Sequence, residues 1–150
     1  MQTFYADCVN NLQELHNDVE KALEGLPPEA LDWSPKPGVN SINALIIHLT
    51  GAQRFMFGEV IGGQDTQRNR DAEFLAKGLA PNELKQRLSD NLTYINAVLE
   101  PLTLADLETK RILRAREVTV GWVIGHALKH TATHLGHIQV MRDLWEQFKG

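Results

Sequence analysis

Four histidines, His126, His130, His134 and His137, lie within twelve residues of a 150-residue chain that holds six in all. Imidazole is the commonest protein metal ligand, and its unperturbed pKa lies closest to neutrality. On a helix, successive residues turn by about 100°, so His137 falls about 20°, His130 about 40° and His134 about 80° from His126. All four then share one face, spread along about 16 Å of helix axis. A His-x3-His pair stacks one imidazole above the other, close enough to share an ion, as in zinc helices with His at i and i+4. Two such pairs are open here, His126/His130 and His130/His134. One pair alone arises often by chance. Four imidazoles bordering Leu128, Leu135 and Ile138 need polar partners, and a metal ion is an efficient one.

A third ligand must come from another helix. His48 is flanked by Ile47 and Leu49 at the border of an apolar face, an odd setting for a solvated histidine. His16 also borders an apolar face, about 40° from Leu12, and reads as structural or exposed. Glu59 lies about 20° from His48 but about 16 Å along the axis, too far to share a metal with it, so no general base is assigned. Cys8 reads as a core residue. The basic run Lys110–Arg116 reads as a solvated loop edge, its sharper alternative being contact with an anionic substrate at the bundle mouth. No Gly-x-Gly-x-x-Gly, P-loop or Gly-x-Ser-x-Gly sequence supports nucleotide binding or elbow-type serine hydrolysis.

Four helices must position these groups. Tyr5, Cys8, Leu12, Leu15, Val19 and Leu23 recur at helical spacing over 3–24, ended by Gly25 and Pro27-Pro28. The prolines and glycine of 27–38 argue against regular structure there, with Trp33 plugging that loop onto the core. Asn40 or Ser41 caps a second helix over 41–61, stopped by Gly62-Gly63. Residues 64–80 are a long polar connection, either a crossover or a functional lid, with a short turn of helix at 71–76. Pro81 opens a third helix over 81–99. Residues 102–118 suit a short hairpin or an extended loop. Thr119 caps the last helix, 120–147, with Trp122, Leu128, Leu135, Ile138, Met141 and Trp145 near its inner side. The expected fold is an all-α four-helix bundle with two longer connections, in a single domain over 1–150. An irregular orthogonal all-α bundle is the alternative.

Composition bounds the function. Apolar residues are 43% and charged residues 23%, enough for one core under a solvated surface. The net charge of −4 argues against a nucleic-acid partner. Apolar runs fall far short of the roughly 20 residues needed to span a bilayer. One cysteine and an acidic start without a basic leader make a cytoplasmic location the default.

The stretch Trp33-Ser34-Pro35-Lys36-Pro37-Gly38-Val39-Asn40-Ser41-Ile42, then His48-Leu49, and the segment from His126 to Ile138 resemble the DinB/YfiT-like metal-binding four-helix bundles. The order of motifs, the length and the helix count agree over essentially the whole chain. The resemblance implies a divalent metal held by one histidine of the second helix and two of the last, here His48, His130 and His134. His126 then sits one turn before the ligands, behind them or in packing. His137 stands where many relatives have Gln. Three neutral imidazoles leave the ion its full charge and an open position, a catalytic rather than a structural pattern. Imidazole suits zinc, nickel and iron alike.

The resemblance further implies a thiol-dependent S-transferase or isomerase that uses a low-molecular-weight thiol on a small electrophile, and a homodimer. A metal-dependent hydrolase and a non-catalytic metal- or ligand-binding bundle are the alternatives, and a metal-free helical interaction module is a weaker one.

Overall fold

In the computed structural model, which describes residues 1–149, four long helices take the places that the apolar periods mark. Helix α1 spans Thr3–Leu23 and α5 spans Pro81–Leu99, with Pro81 at its start. Helix α3 runs over Ile42–Arg54 and α6 over Val120–Phe148. Ser41 Oγ accepts from Ala44 N and Thr119 Oγ1 from Trp122 N, so both expected hydroxyl caps close the first turns of their helices. Helix α1 packs on α5 and α6, and α3 packs on the same two. The bundle is all-α in its frame, with one small hairpin at its end. No helix among the described residues is long and apolar enough to cross a membrane.

Three local readings are corrected or sharpened. The proline-rich segment is not irregular throughout: Pro28–Asp32 form a short helix, α2, because Pro28 suits the first helical position and Ala30 and Leu31 are buried beneath it. Trp33 does close this segment onto the bundle, edge to face with Trp145 at 5.9 Å. The second long helix changes type at its end, where Phe55–Ile61 form π turns. Gly58 permits this stretch to lie against α5, since a Cβ there would stand 2.0 Å from Tyr94 Oη. The expected turn at 71–76 is a four-residue helix, α4, over Arg70–Glu73, capped by Asn69.

Strands β1 (Lys110–Leu113) and β2 (Arg116–Thr119) pair antiparallel, Leu113 opposite Arg116. This decides for the hairpin over the extended loop. Its two-residue turn, Arg114-Ala115, has φ of 51° and 65°. Two-residue hairpins of this kind favour Asn-Gly, because a Cβ disfavours positive φ. Ala115→Gly is therefore expected to stabilise the chain by about 0.5–1 kcal/mol. That corresponds to a Tm rise of about 1–4 °C, read by thermal unfolding with circular dichroism. An unchanged or lower Tm would show that the turn stores no strain.

The apolar core is in two parts. One gathers Tyr5, Cys8, Leu12, Phe57, Ile95 and Ile124, the other Val19, Leu45, Ile46, Leu84, Leu88 and Ile138. Cys8 is buried in the first, as its helical position suggests. Between them lies a band of buried polar residues: His16, Thr50, Gln53, Asn91 and Thr131. Asn91 Nδ2 donates to Gln53 Oε1 at 2.7 Å and Gln53 Nε2 to Thr131 Oγ1 at 2.9 Å. His16 Nε2 meets the Gln53 amide at 3.0 Å, so His16 is structural and buried rather than exposed. Burial pushes its pKa down, against the raising effect of its hydrogen bonds.

Candidate metal centre

The centre of α6 turns its core stripe, Ile124, Ala127, Thr131, Leu135 and Ile138, toward α1 and α3. The histidine stripe is rotated from that centre by about a quarter turn. It therefore runs along the edge of the core. His130 and His134 are half-buried there, His126 is half-buried one turn earlier, and His137 is exposed. From α3, His48 is buried opposite the middle of the stripe, its ring centroid 5.1 Å from that of His130 and 4.7 Å from that of His134. One nitrogen from each of His48, His130 and His134 lies within 4.8 Å of the others. Of the two pairs left open by spacing, the structure brings His130/His134 up to His48.

The other two histidines are placed differently. His126 stacks on Trp122 at 4.7 Å with planes 11° apart, and Arg116 covers the same indole. Its Nδ1 is buried without a partner. His137 Nδ1 lies 3.3 Å from His134 Nδ1 at the exposed end of the stripe.

Glu73, on α4, completes the arrangement and was missed in the sequence. Its Oε1 accepts from His48 Nδ1 at 3.0 Å. Arg68 grips the same carboxylate with Nε at 2.8 Å and Nη2 at 2.8 Å. Burial alone would raise the Glu73 pKa, but hydrogen bonds from Arg68 and His48, and their charges, outweigh it and hold it below the usual range. The carboxylate lies against the backbone of α3 at Gly51. A Cβ on residue 51 would stand 2.0 Å from Glu73 Oε2 and 2.7 Å from Cδ. A glycine three residues after His48, in mid-helix, was the one signal in the sequence that something approaches there. Phe74 lies beside the His48 ring, 4.6 Å between centroids. The polar connection thus covers the site rather than merely crossing the bundle. Glu59, by contrast, accepts from Thr66 N and Oγ1 within that connection.

A divalent transition metal fits these donors. The Glu73 carboxylate fixes the proton of His48 on Nδ1 and leaves Nε2 free, the carboxylate–histidine pattern that orients metal-binding imidazoles. His130 Nδ1 is buried without a partner. Burial first, then the neighbouring His134, His48 and His126 and the Arg68 charge, push His130 down to about 3. Burial, His48 and His137 push His134 down to about 4. Both are neutral at physiological pH, as ligation requires. The three histidines could hold a metal ion.

An all-helical bundle with such a histidine cluster between its second and last long helices defines a class of protein. The sequence model of the DinB superfamily matches residues 11–138, and the chain belongs to that superfamily. Among curated proteins none matches. Solved structures share the fold at low identity. A conserved protein from Enterococcus faecalis superposes with TM-score 0.80 at 15% identity, over 96% of this chain and 98% of its own. YfiT from Bacillus subtilis, described as a probable metal-dependent hydrolase with an unusual four-helix bundle topology, gives 0.77 at 16%, over 97% and 90%. A DinB-like protein from Bacillus cereus ATCC 10987 gives 0.72 at 17%, over 89% of each chain.

Proposed function

We propose that this chain is a metal-dependent enzyme in which His48, His130 and His134 hold one divalent transition-metal ion, zinc, nickel or iron. Its reaction is transfer of a low-molecular-weight thiol to a small electrophile. The observation that supports this most is the Glu73–His48 hydrogen bond at 3.0 Å, which leaves a histidine tautomer suited to metal binding. Bound there, a divalent ion supplies a positive charge that favours the anionic form of a thiol or water. The chain's own residues do the rest. Arg68 holds Glu73, Glu73 holds the His48 proton, and Phe74 packs beside the His48 ring. Among the described residues, the one carboxylate that touches the cluster is thus occupied by His48 and Arg68. That occupation favours a thiol over water as nucleophile, because a thiol, with a free pKa of about 8.5, would release its proton to solvent near neutrality without a protein base.

Metal-assisted hydrolysis is the second reading, supported by the description given to the Bacillus subtilis fold relative. Cobalt substitution separates the two. A thiol such as 2-mercaptoethanol is expected to add a sulfur-to-metal charge-transfer band, and His130→Ala to abolish it together with the metal. Small oxyanions perturbing the spectrum while thiols do not would reject thiol transfer in favour of hydrolysis. A spectrum that neither changes would mean a closed site without catalysis.

A further inference from the structure

A cavity of about 120 Å³ is lined by His48, His130 and His126, and the rest of its wall has two distinct chemistries. Phe55, Met56 and Leu113 give it an apolar lining, and Arg68 and Arg70 of the polar connection and Arg114 of the hairpin turn also line it. Its size suits a small molecule, well under the roughly 300 Å³ of an ordinary drug-sized site. Among the described residues no carboxylate lines it, although the chain as a whole has net charge −4. The Arg68 charge is balanced, since its guanidinium is paired to Glu73. Among the described residues, Arg70 and Arg114 are in no ion pair and make no side-chain hydrogen bond, and Arg70 only stands over the Phe74 ring at 5.0 Å. Two uncompensated cations thus face a small, partly apolar cavity.

The backbone is unfavourable where Arg114 is delivered: it has φ of 51° in a turn that would suit Asn-Gly better, while Gln67, with the same φ, precedes Arg68, which Glu73 holds. Strain of this kind persists where a side chain's position matters more than local stability. The rest of the basic hairpin is engaged elsewhere: Lys110 pairs with Glu117, Arg111 Nη1 donates to its neighbour's carbonyl, and Arg116 covers Trp122.

We propose that this cavity binds the anionic head of a small amphipathic organic acid, a carboxylate or a phosphonate-type group, with Arg70 and Arg114 meeting the charge and Phe55, Met56 and Leu113 taking the apolar part. The proposal deepens the enzyme reading by giving the substrate's class, and it rests on that reading only for what is then done to the substrate. Guanidinium groups present paired donors that match either head group, and such charge-assisted hydrogen bonds are the strong ones.

Calorimetric titration with benzoate, phenylphosphonate and neutral benzamide tests it, on the full chain both zinc-loaded and after chelation. Benzoate or phenylphosphonate is expected to bind about tenfold more tightly than benzamide in both forms, one net charge-assisted bond's worth. The stronger of the two identifies the head group. In the double variant Arg70→Gln with Arg114→Asn that preference is expected to fall to about twofold or less. Asn suits the positive φ of the turn, so loss of binding is not loss of the hairpin, and the Arg70→Lys/Arg114→Lys pair should recover part of the preference. Equal binding of all three probes overturns the proposal. So does a preference that appears only with zinc and survives the double variant, which would leave the metal reading standing and assign the anion to the metal alone. Charge-selective, arginine-dependent binding in a chain that retains no zinc would leave the anion site standing and remove the metal reading.

Discussion

Replacing His48 by alanine is expected to lower metal affinity by more than about 100-fold, because it removes a ligand outright, whereas loss of an outer partner costs roughly 10–100-fold. Glu73→Gln is expected to fall in that lower range. It keeps the shape against Gly51, but it removes the charge that His48 Nδ1 and Arg68 share. His16→Ala should leave about one ion per chain. Its effect should be on stability, about 2 kcal/mol or more, because it opens a cavity in the polar band and strips the Gln53 amide of a partner. Elemental analysis after dialysis, with chelator competition for affinity and thermal unfolding for stability, reads all three variants. Equal metal retention by His48→Ala and His16→Ala would remove His48 from the site. An affinity unchanged in Glu73→Gln would show that the carboxylate does not orient the imidazole.

The second large effect is on pH. Protons compete with metal for imidazole, and free histidines would begin to compete below about 6.5. Burial and mutual repulsion instead hold His130 at about 3 and His134 at about 4. These two therefore stay neutral across the range in which solution histidines titrate, and metal release is expected to have its midpoint below pH 6. The same shifts make the metal-free chain sensitive to acid. Between the folded values and 6.5 the unfolded chain binds more protons than the folded one, so stability rises with pH across that window and is lost as pH falls through it. Tm of the metal-free chain should be level above pH 7 and should decline between about 6.5 and 5, before ordinary carboxylates titrate. Equilibrium dialysis and unfolding at fixed ionic strength measure both. Metal release centred at 6.5 or above, with a flat Tm between 6.5 and 5, would show that the pair titrates as it does in solution.

Much of the frame was legible because it depends on neighbours in the chain. The apolar steps of α1 and α5, the hydroxyl caps Ser41 and Thr119, and Pro81 at a helix start each act within a turn or two of helix. The histidine stripe is likewise a consequence of helical period alone. The polar band was not read from the sequence: Asn91 lies beside the apolar period of α5 and is buried with it. Which partners it finds, Gln53 and the Thr50 carbonyl, depends on how α3 packs on α5.

What the sequence determined by itself is thus the helices and the face on which each histidine lies, since both follow from spacing and local hydrogen bonding. Tertiary structure decided the rest. It chose His130/His134 over His126/His130 as the pair beside His48, because only the packing of α3 on α6 sets the level at which their side chains meet. It brought Glu73 to His48 across 25 residues of sequence, from a four-residue helix with no period to betray its direction. It also turned two strained segments, at Gln67 and at Arg114-Ala115, so that arginines from both line one cavity. Such convergence depends on long-range packing that outweighs local backbone preference, and no spacing within either segment encodes it.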